Sequence, residues 1–134
     1  MDRTSEMLPL RTSEDIVRVR TAVRKVAIEL KFGLVDQTKL VTAASEIARN
    51  TLDYGRGGDV RLGVLERGGK RGVRLIFEDQ GPGIADVSEA LRDGFTSGKG
   101  MGLGLGGTRR LMDEFEIASE VNKGTTVTIT KWTR

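Results

Sequence analysis

The sequence contains no cysteine and no histidine among its 134 residues. The lack of cysteine excludes disulfides and thiolate chemistry, which fits a cytoplasmic protein. The lack of histidine removes imidazole as a general base, a metal ligand or a phosphoacceptor. Any chemistry must therefore use carboxylates, lysines and hydroxyl groups.

Aromatic residues and long apolar runs are scarce as well. One Trp, one Tyr and four Phe offer little surface for stacking on nucleic-acid bases, and no recognition motif for nucleic acid occurs. The net charge of +3 comes from basic residues interspersed with acidic ones, which favours a mildly basic face toward phosphates or an acidic partner. No apolar run approaches the ~18 residues of a membrane helix, and no signal peptide opens the chain. We therefore expect neither nucleic-acid nor membrane binding.

The composition itself is that of an ordinary folded domain. Hydrophobic residues make up 37% and charged residues 31% of a chain long enough for one two-layer core. No internal repeat, linker or low-complexity tail interrupts it. We expect one domain over residues 1–134.

The first half of the sequence predicts two helices. Ser13 is expected to cap the first helix, which Gly33 closes. Asp36 is expected to cap the second helix, which ends at Gly55. Apolar residues recur at helical spacing in both, at Ile16, Val19, Val23, Val26, Ala27 and Leu30 in the first, and at Leu40, Val41, Ala44, Ile47, Ala48 and Thr51 in the second.

The remaining segments predict strands with short helices between them. Residues 59–78 alternate between apolar and polar about a turn at 67–72, which indicates an antiparallel hairpin. Pro9 confines a short strand at residues 7–11 to a sheet edge. The other expected elements are one or two helical turns at 88–93, a helix over 105–115, and a second hairpin of 116–121 and 125–132. Together they predict an α+β fold, a two-layer sandwich with a mostly antiparallel sheet and helices on one face.

Two polar side chains lie at the margin of the apolar stripe on the second helix. Glu46 and Asn50 are four residues apart, so they share one face about one turn apart. A carboxylate at the edge of a buried stripe can form the wall of a cleft. An isolated Glu there would more often pair with Arg49 or Lys39 in solvent, and only the glycine motifs downstream favour the cleft.

A glycine-rich stretch contributes seven glycines between residues 94 and 107. The spacing around Lys99 does not fit a Walker loop. Residues 102–107 match the letters of a dinucleotide fingerprint but lack the preceding strand and the following acid. We interpret the stretch as a mobile lid over a triphosphate, with backbone N–H groups facing phosphate oxygens and Lys99 adding positive charge. A plain flexible surface loop is the alternative.

Asp79 ends the predicted central strand and precedes Gly81 and Gly83. This pattern is common in turns. As a buried carboxylate, however, Asp79 could accept a hydrogen bond from the adenine amino group and reject guanine by up to ~10⁴-fold. Asn50 offers an oxygen suited to Mg²⁺, and Glu46 can take the proton of an attacking hydroxyl. These residues together predict an ATP site.

In their order along the chain, these motifs resemble the four boxes of the GHKL ATPase/kinase superfamily. The matching residues are Glu46-x-x-x-Asn50, Asp79-x-Gly81-x-Gly83, Gly100-x-Gly102-x-Gly104 and Gly124-Thr125-Thr126. The likeness implies the Bergerat ATP-binding fold of that superfamily, with ATP and Mg²⁺ as cofactors. Residues 35–50, 110–115 and 130–132 look most like the RsbT-type serine/threonine kinases, the switch kinases of the stressosome.

The resemblance also implies roles for individual residues. Glu46 would be the catalytic base, Asn50 the Mg²⁺ ligand, and Asp79 with Thr126 the readers of adenine. The implied nucleotide contacts are Asn50, Asp79, Gly81, Gly83, Ile84, Lys99, Gly100, Met101, Gly102, Leu103, Gly104, Leu105 and Thr126.

The same resemblance implies protein partners. An RsbT-type kinase would phosphorylate Ser or Thr on STAS-domain proteins of the RsbS and RsbR types and, once released from them, activate an RsbU-type phosphatase. Residues 98–105 follow the general G-x-G-x-G pattern more closely than an RsbT lid, which leaves a related kinase open. Two alternatives are an anti-sigma factor that sequesters a sigma subunit and a nucleotide-binding regulator without transfer chemistry.

Overall fold

The computed structural model describes the backbone of residues 2–91 and 105–134, and the side chains within these ranges from residue 6 onward. The elements are β1 (Asp2–Leu10), α1 (Ser13–Glu29), α2 (Leu34–Asp53), β2 (Gly58–Arg67), β3 (Lys70–Asp79), α3 (Val87–Ala90), α4 (Leu105–Leu111), β4 (Glu114–Glu120) and β5 (Gly124–Trp132). The strands form one antiparallel sheet in the order β1-β2-β3-β5-β4. The predicted α+β fold is confirmed, with β3 as the central strand.

The core lies between the sheet and the long helices α1 and α2. The stripe predicted for α2 is buried throughout, and that of α1 is buried except for Val26, which is half-buried. The sheet contributes Val60, Leu62, Val73, Leu75, Phe77, Val127 and Ile129 to the same cluster. No helix in the described ranges is long and apolar enough to cross a membrane.

Both ends of α1 differ from the prediction. Thr12 is the N-cap and Ser13 the first helical residue. The buried Asp15 carboxylate accepts hydrogen bonds from the backbone N–H groups of Arg11 and Thr12, at 2.9 and 3.1 Å, which satisfies donors at the start of the helix. At the other end, Lys31 adopts the left-handed conformation with φ 64° and reverses the chain.

Gly33 therefore does not close α1, and Asp36 does not cap α2. Gly33 is the N-cap of α2, with extended backbone, and Asp36 lies in the first turn of the helix. At the far end Tyr54 is the C-cap, and the N–H of Gly55 donates to Asn50 O at 2.9 Å, which agrees with the predicted end of this helix.

The strands follow the predicted hairpins, and one helix is shorter than predicted. The turn between β2 and β3 is only Gly68-Gly69, both with positive φ, as a two-residue hairpin turn requires. β1 is an edge strand, as Pro9 predicts. The predicted helix over 105–115 is wrong in its second half, because α4 ends at Leu111 and β4 begins at Glu114.

A buried lysine holds the end of α4 in place. Lys131 on β5 is 2% exposed, and its Nζ donates to Leu111 O at 3.0 Å, one of the carbonyls that the end of α4 leaves without a helical partner. Its charge is balanced by Asp36 at 3.7 Å and Asp113 at 3.9 Å. This cluster joins the start of α2, the turn after α4 and the end of β5.

Candidate functional site

Asp79 is a buried carboxylate at the end of the central strand. Its residue is 8% exposed, and its Oδ1 accepts hydrogen bonds from the backbone N–H groups of Gly81 at 2.9 Å and Thr125 at 3.3 Å. Thr125 is its register partner on β5. In the described ranges, Asp79 Oδ2 has no hydrogen-bond partner, so this oxygen is left to accept one from a ligand.

The surroundings of Asp79 disfavour its ionised form. Burial raises the pKa of Asp79 above its ordinary value, and the opposing effect of the Gly81 and Thr125 N–H donors does not cancel it. The nearby charge of Glu78 acts in the same direction as burial. A perturbed carboxyl group in a cleft is a candidate site residue on physical grounds.

Gly55 leaves space for this carboxylate. A Cβ on Gly55 would lie 2.4 Å from Asp79 Cγ and 2.4 Å from Asp79 Oδ2, well inside any normal contact. A Cβ on Gly81 would in turn lie 2.7 Å from Gly55 O. The backbones after α2 and β3 therefore approach each other so closely that only hydrogen fits between them.

A small cavity lies directly against Asp79. Its walls are Ile47, Asn50, Thr51 and Tyr54 from α2, Phe77 and Asp79 from β3, Thr125 and Val127 from β5, and Ile84 and Leu105 from the segments between β3 and β4. The lining is mostly apolar with a few convergent polar groups, as is usual for small-molecule sites. Its volume is about 20 Å³, which holds about one water.

The loop that follows Asp79 is held from three directions. Tyr54 Oη donates to Gly83 O at 3.2 Å, Ile84 N donates to Ser119 Oγ at 2.7 Å, and Asn122 N donates to Pro82 O at 2.7 Å. Gly83 has φ +73°, and a Cβ there would meet Glu120 O at 2.0 Å. Gly83 thus permits the loop to pack directly on the backbone of β4.

The structure brings together several of the residues proposed from sequence. Asn50, Asp79, Ile84 and Leu105 all line the cavity. Glu46 does not line it: the side chain is exposed on α2, one turn before Asn50, and no ion pair to it occurs within the described part of the chain. Lys99, Gly100, Met101, Gly102, Leu103 and Gly104 lie outside the described residues.

Thr126, a predicted reader of adenine, does not line the cavity. Successive side chains of a strand point to opposite faces. Thr125 and Val127 line the cavity, so Thr126 faces away from it. The signal was present in the sequence, since Thr125 is in phase with Val127 and Ile129, which belong to the core. No sequence pattern indicated that Tyr54 and Ser119 would bind the loop after Asp79.

Comparisons with known proteins agree with this geometry. Residues 35–133 match the family described as histidine kinase-, DNA gyrase B- and HSP90-like ATPase. The serine/threonine-protein kinase RsbT of Bacillus subtilis (strain 168) is 46% identical over 123 residues, which cover 92% of each chain. This chain belongs to that ATPase family, as an RsbT-like serine/threonine protein kinase.

Two further matches share less sequence identity with this chain. The anti-sigma F factor of Geobacillus sp. (strain WCH70) is 32% identical over 120 residues, covering 84% of this chain and 81% of the relative. In fold, the chain matches a crystal structure of the RsbU and RsbW domains of a Mycobacterium tuberculosis protein with a TM-score of 0.64 and 21% identity. That match covers 98% of this chain but only 33% of the other, so the chain spans about a third of that protein.

The residues present fit the ATP that this family uses. Asp79 Oδ2 is an acceptor of a residue that lines the cavity, and most of the other lining residues are apolar. Asn50 lines the cavity from α2. Its side-chain amide contains an oxygen of the kind that Mg²⁺ takes from proteins, with phosphates and waters completing its shell.

Proposed function

We propose that this protein transfers the γ-phosphoryl group of ATP to a serine or threonine of a partner protein in a sigma-factor pathway. The observation that carries the proposal is the buried Asp79, whose Oδ1 is fixed by two backbone N–H groups while Oδ2 is left for a ligand. The 46% identity to a named serine/threonine kinase supports the phosphoacceptor class.

Asp79 reads the base in this proposal. Its Oδ2 accepts a hydrogen bond from the adenine amino group, whereas guanine would bring a carbonyl oxygen against it. The cavity must widen to admit a purine, since it now holds about 20 Å³. Ile84 and Leu105 form the wall that moves, because they lie on a loop and a short helix, while the other walls belong to α2 and the sheet.

The helix α2 sets the direction of the phosphates. Asn50 lines the cavity, and Glu46 lies one turn further from Asp79, roughly 6 Å along the helix. Asn50 would hold Mg²⁺, which neutralises charge on the phosphates when bound. Glu46 then accepts the proton of the attacking hydroxyl, and its exposure leaves it reachable by a protein substrate.

The partners we propose are those that the family resemblance implies. The substrates are STAS-domain proteins of the RsbS and RsbR types, and an RsbU-type phosphatase is the target after release, in the cytoplasm. Identity to RsbT and the fold match to a chain with RsbU and RsbW domains support this assignment. The second candidate is an anti-sigma factor that sequesters a sigma subunit, which the 32% identity to an anti-sigma F factor supports.

A groove on the outer side of α1 offers a surface for such a partner. It measures about 670 Å³ and shares no residue with the cavity at Asp79. Arg20, Arg24 and Lys25 line it beside Val17 and Ile28, which are each 56% exposed. Its excess of positive charge fits an acidic protein segment rather than the base of a nucleotide.

The test is a phosphorylation assay with ATP, Mg²⁺ and a STAS-domain protein. Glu46→Ala should lower the transfer rate by about 10²- to 10⁴-fold, because the base is lost, while ATP affinity in calorimetry stays within about twofold. Glu116→Ala, an exposed glutamate on β4, is the matched control and should transfer normally. Normal transfer by Glu46→Ala would show that Glu46 is not the base.

Two further outcomes separate the candidates. Capture of a sigma factor without transfer to any STAS protein would favour the anti-sigma alternative. Absence of ATP binding by the wild-type protein in the presence of Mg²⁺ would refute the nucleotide site itself.

A further inference from the structure

Ser119 connects two walls of the cavity without touching its interior. It lies half-buried on β4, and its Oγ has three neighbours at hydrogen-bond distance. Ile84 N donates to it at 2.7 Å, Gly124 O lies at 3.0 Å, and Thr125 Oγ1 lies at 2.7 Å. Both Ile84 and Thr125 line the cavity, so one hydroxyl connects two of its lining residues.

The three contacts allow only one assignment of the protons in which all are hydrogen bonds. A serine hydroxyl has one proton and two lone pairs. Ile84 N–H uses one lone pair, and Gly124 O can only accept, so it takes the Ser119 proton. The contact with Thr125 must then use the second lone pair of Ser119, which means that Thr125 donates its proton to Ser119.

This assignment decides what Thr125 presents to the cavity. Thr125 lines the cavity, and with its proton directed at Ser119 its Oγ1 can offer only lone pairs to a ligand there. Asp79 is the register partner of Thr125, and its Oδ2 is also an acceptor. The polar groups of Asp79 and Thr125 that face the cavity are therefore all acceptors.

We propose that Ser119 is a positioning residue that sets the purine selectivity of this kinase, by holding the Thr125 hydroxyl as an acceptor. This inference rests on the proposed ATP site. When the 6-position of the purine faces these groups, two acceptors suit the adenine amino group, which has two protons to donate, and repel the O6 carbonyl of guanine. If the proton of Thr125 were free, it could turn into the cavity and donate to that carbonyl.

The experiment compares the affinities of non-hydrolysable ATP and GTP analogues by calorimetry with Mg²⁺. The readout is the ratio of the two dissociation constants, which does not depend on the fraction of folded protein. Ser119→Ala releases the Thr125 proton and should lower the preference for ATP by about 5-fold, the worth of one typical hydrogen bond. Ser119→Thr retains the hydroxyl and should restore the wild-type ratio.

A double variant separates this effect from simple loosening of the site. Thr125→Val has nearly the same shape but no hydroxyl, so Ser119→Ala combined with Thr125→Val leaves no proton to donate to guanine. The double variant should regain the preference for ATP that Ser119→Ala loses. Ser88→Ala is the control and should keep the wild-type ratio, because it removes only an exposed 2.7 Å hydrogen bond between the Ser88 hydroxyl and Asp86.

Two results would overturn the role of Ser119 while leaving the proposed function intact. The first is ATP binding by the wild type with an unchanged ratio in Ser119→Ala. The second is a double variant as unselective as Ser119→Ala, since that would show a structural loosening. Failure of the wild-type protein to bind either analogue would instead refute the proposed function.

Discussion

The sharpest prediction concerns Gly55, where an added Cβ would meet the Asp79 carboxylate first. The backbone of Gly55 does not have positive φ, so Gly55→Ala adds one methyl group without strain in the main chain. That methyl would lie 2.4 Å from Asp79 Cγ and Oδ2, where ordinary contacts begin at 3.4 Å. The carboxylate must therefore move by roughly 1 Å.

The carboxylate cannot move this far and keep its contacts. Asp79 Oδ1 is bound to Gly81 N at 2.9 Å and to Thr125 N at 3.3 Å, so a shift of Oδ2 stretches or breaks these bonds. A hydrogen bond to a charged group is worth about 1.5–3 kcal/mol. Loss of the hydrogen bond between Asp79 Oδ2 and the bound nucleotide should therefore weaken ATP binding by about 10- to 150-fold.

The assay is titration of Mg·ATP by calorimetry, with circular dichroism to verify the fold. Gly33→Ala is the matched control, because a Cβ there meets nothing within 4 Å, and it should bind ATP as the wild type does. A folded Gly55→Ala variant with wild-type affinity would refute the reasoning, since it would mean that Asp79 Oδ2 does not need its present position to bind the ligand.

Two other variants test the charge of the site and the partner surface. Asp79→Asn should lose ATP binding, because an amide would place a donor against the amino group. Burial raises the pKa of Asp79, so the ionised carboxylate destabilises the folded protein at neutral pH. The Asp79→Asn variant should therefore unfold at an equal or higher temperature than the wild type near pH 7. This difference should disappear below the ordinary pKa of Asp, where the carboxyl group is protonated in both the folded and the unfolded protein. Arg24→Glu should abolish phosphorylation of an acidic partner but keep ATP affinity, whereas Arg61→Glu, exposed on β2, should leave both unchanged in the same assays.

The helix interiors and hairpins could be predicted from sequence, but the helix ends could not. The stripe of α2 is buried as its period predicts, because burial of apolar residues decides that face. The reversal after α1 instead uses Lys31 in a left-handed conformation that glycine usually adopts, which leaves Gly33 to begin α2. Packing of the two helices overrides the local preference here.

The end of α4 could not be predicted from sequence either, because tertiary contacts determine it. Residues 112–115 have no local signal that ends a helix. The chain leaves the helix because Glu114 and its successors pair with β5, and because Lys131 from that strand binds the carbonyl of Leu111. Contacts between residues 20 apart in sequence cannot be read from a window of helical periodicity.

The site depends on the register between β3 and β5 as much as on its motifs. Asp79 and Thr125 are 46 residues apart and meet because the strands pair them directly. A shift of one residue would bring Thr126 to the cavity face and turn Thr125 away, since side chains alternate. The motif Gly124-Thr125-Thr126 contains both threonines and does not indicate which of them faces the cavity. The choice is made by the apolar residues Val127 and Ile129, whose burial forces Thr125 onto the same face, and by Ser119, which binds that threonine and not its neighbour.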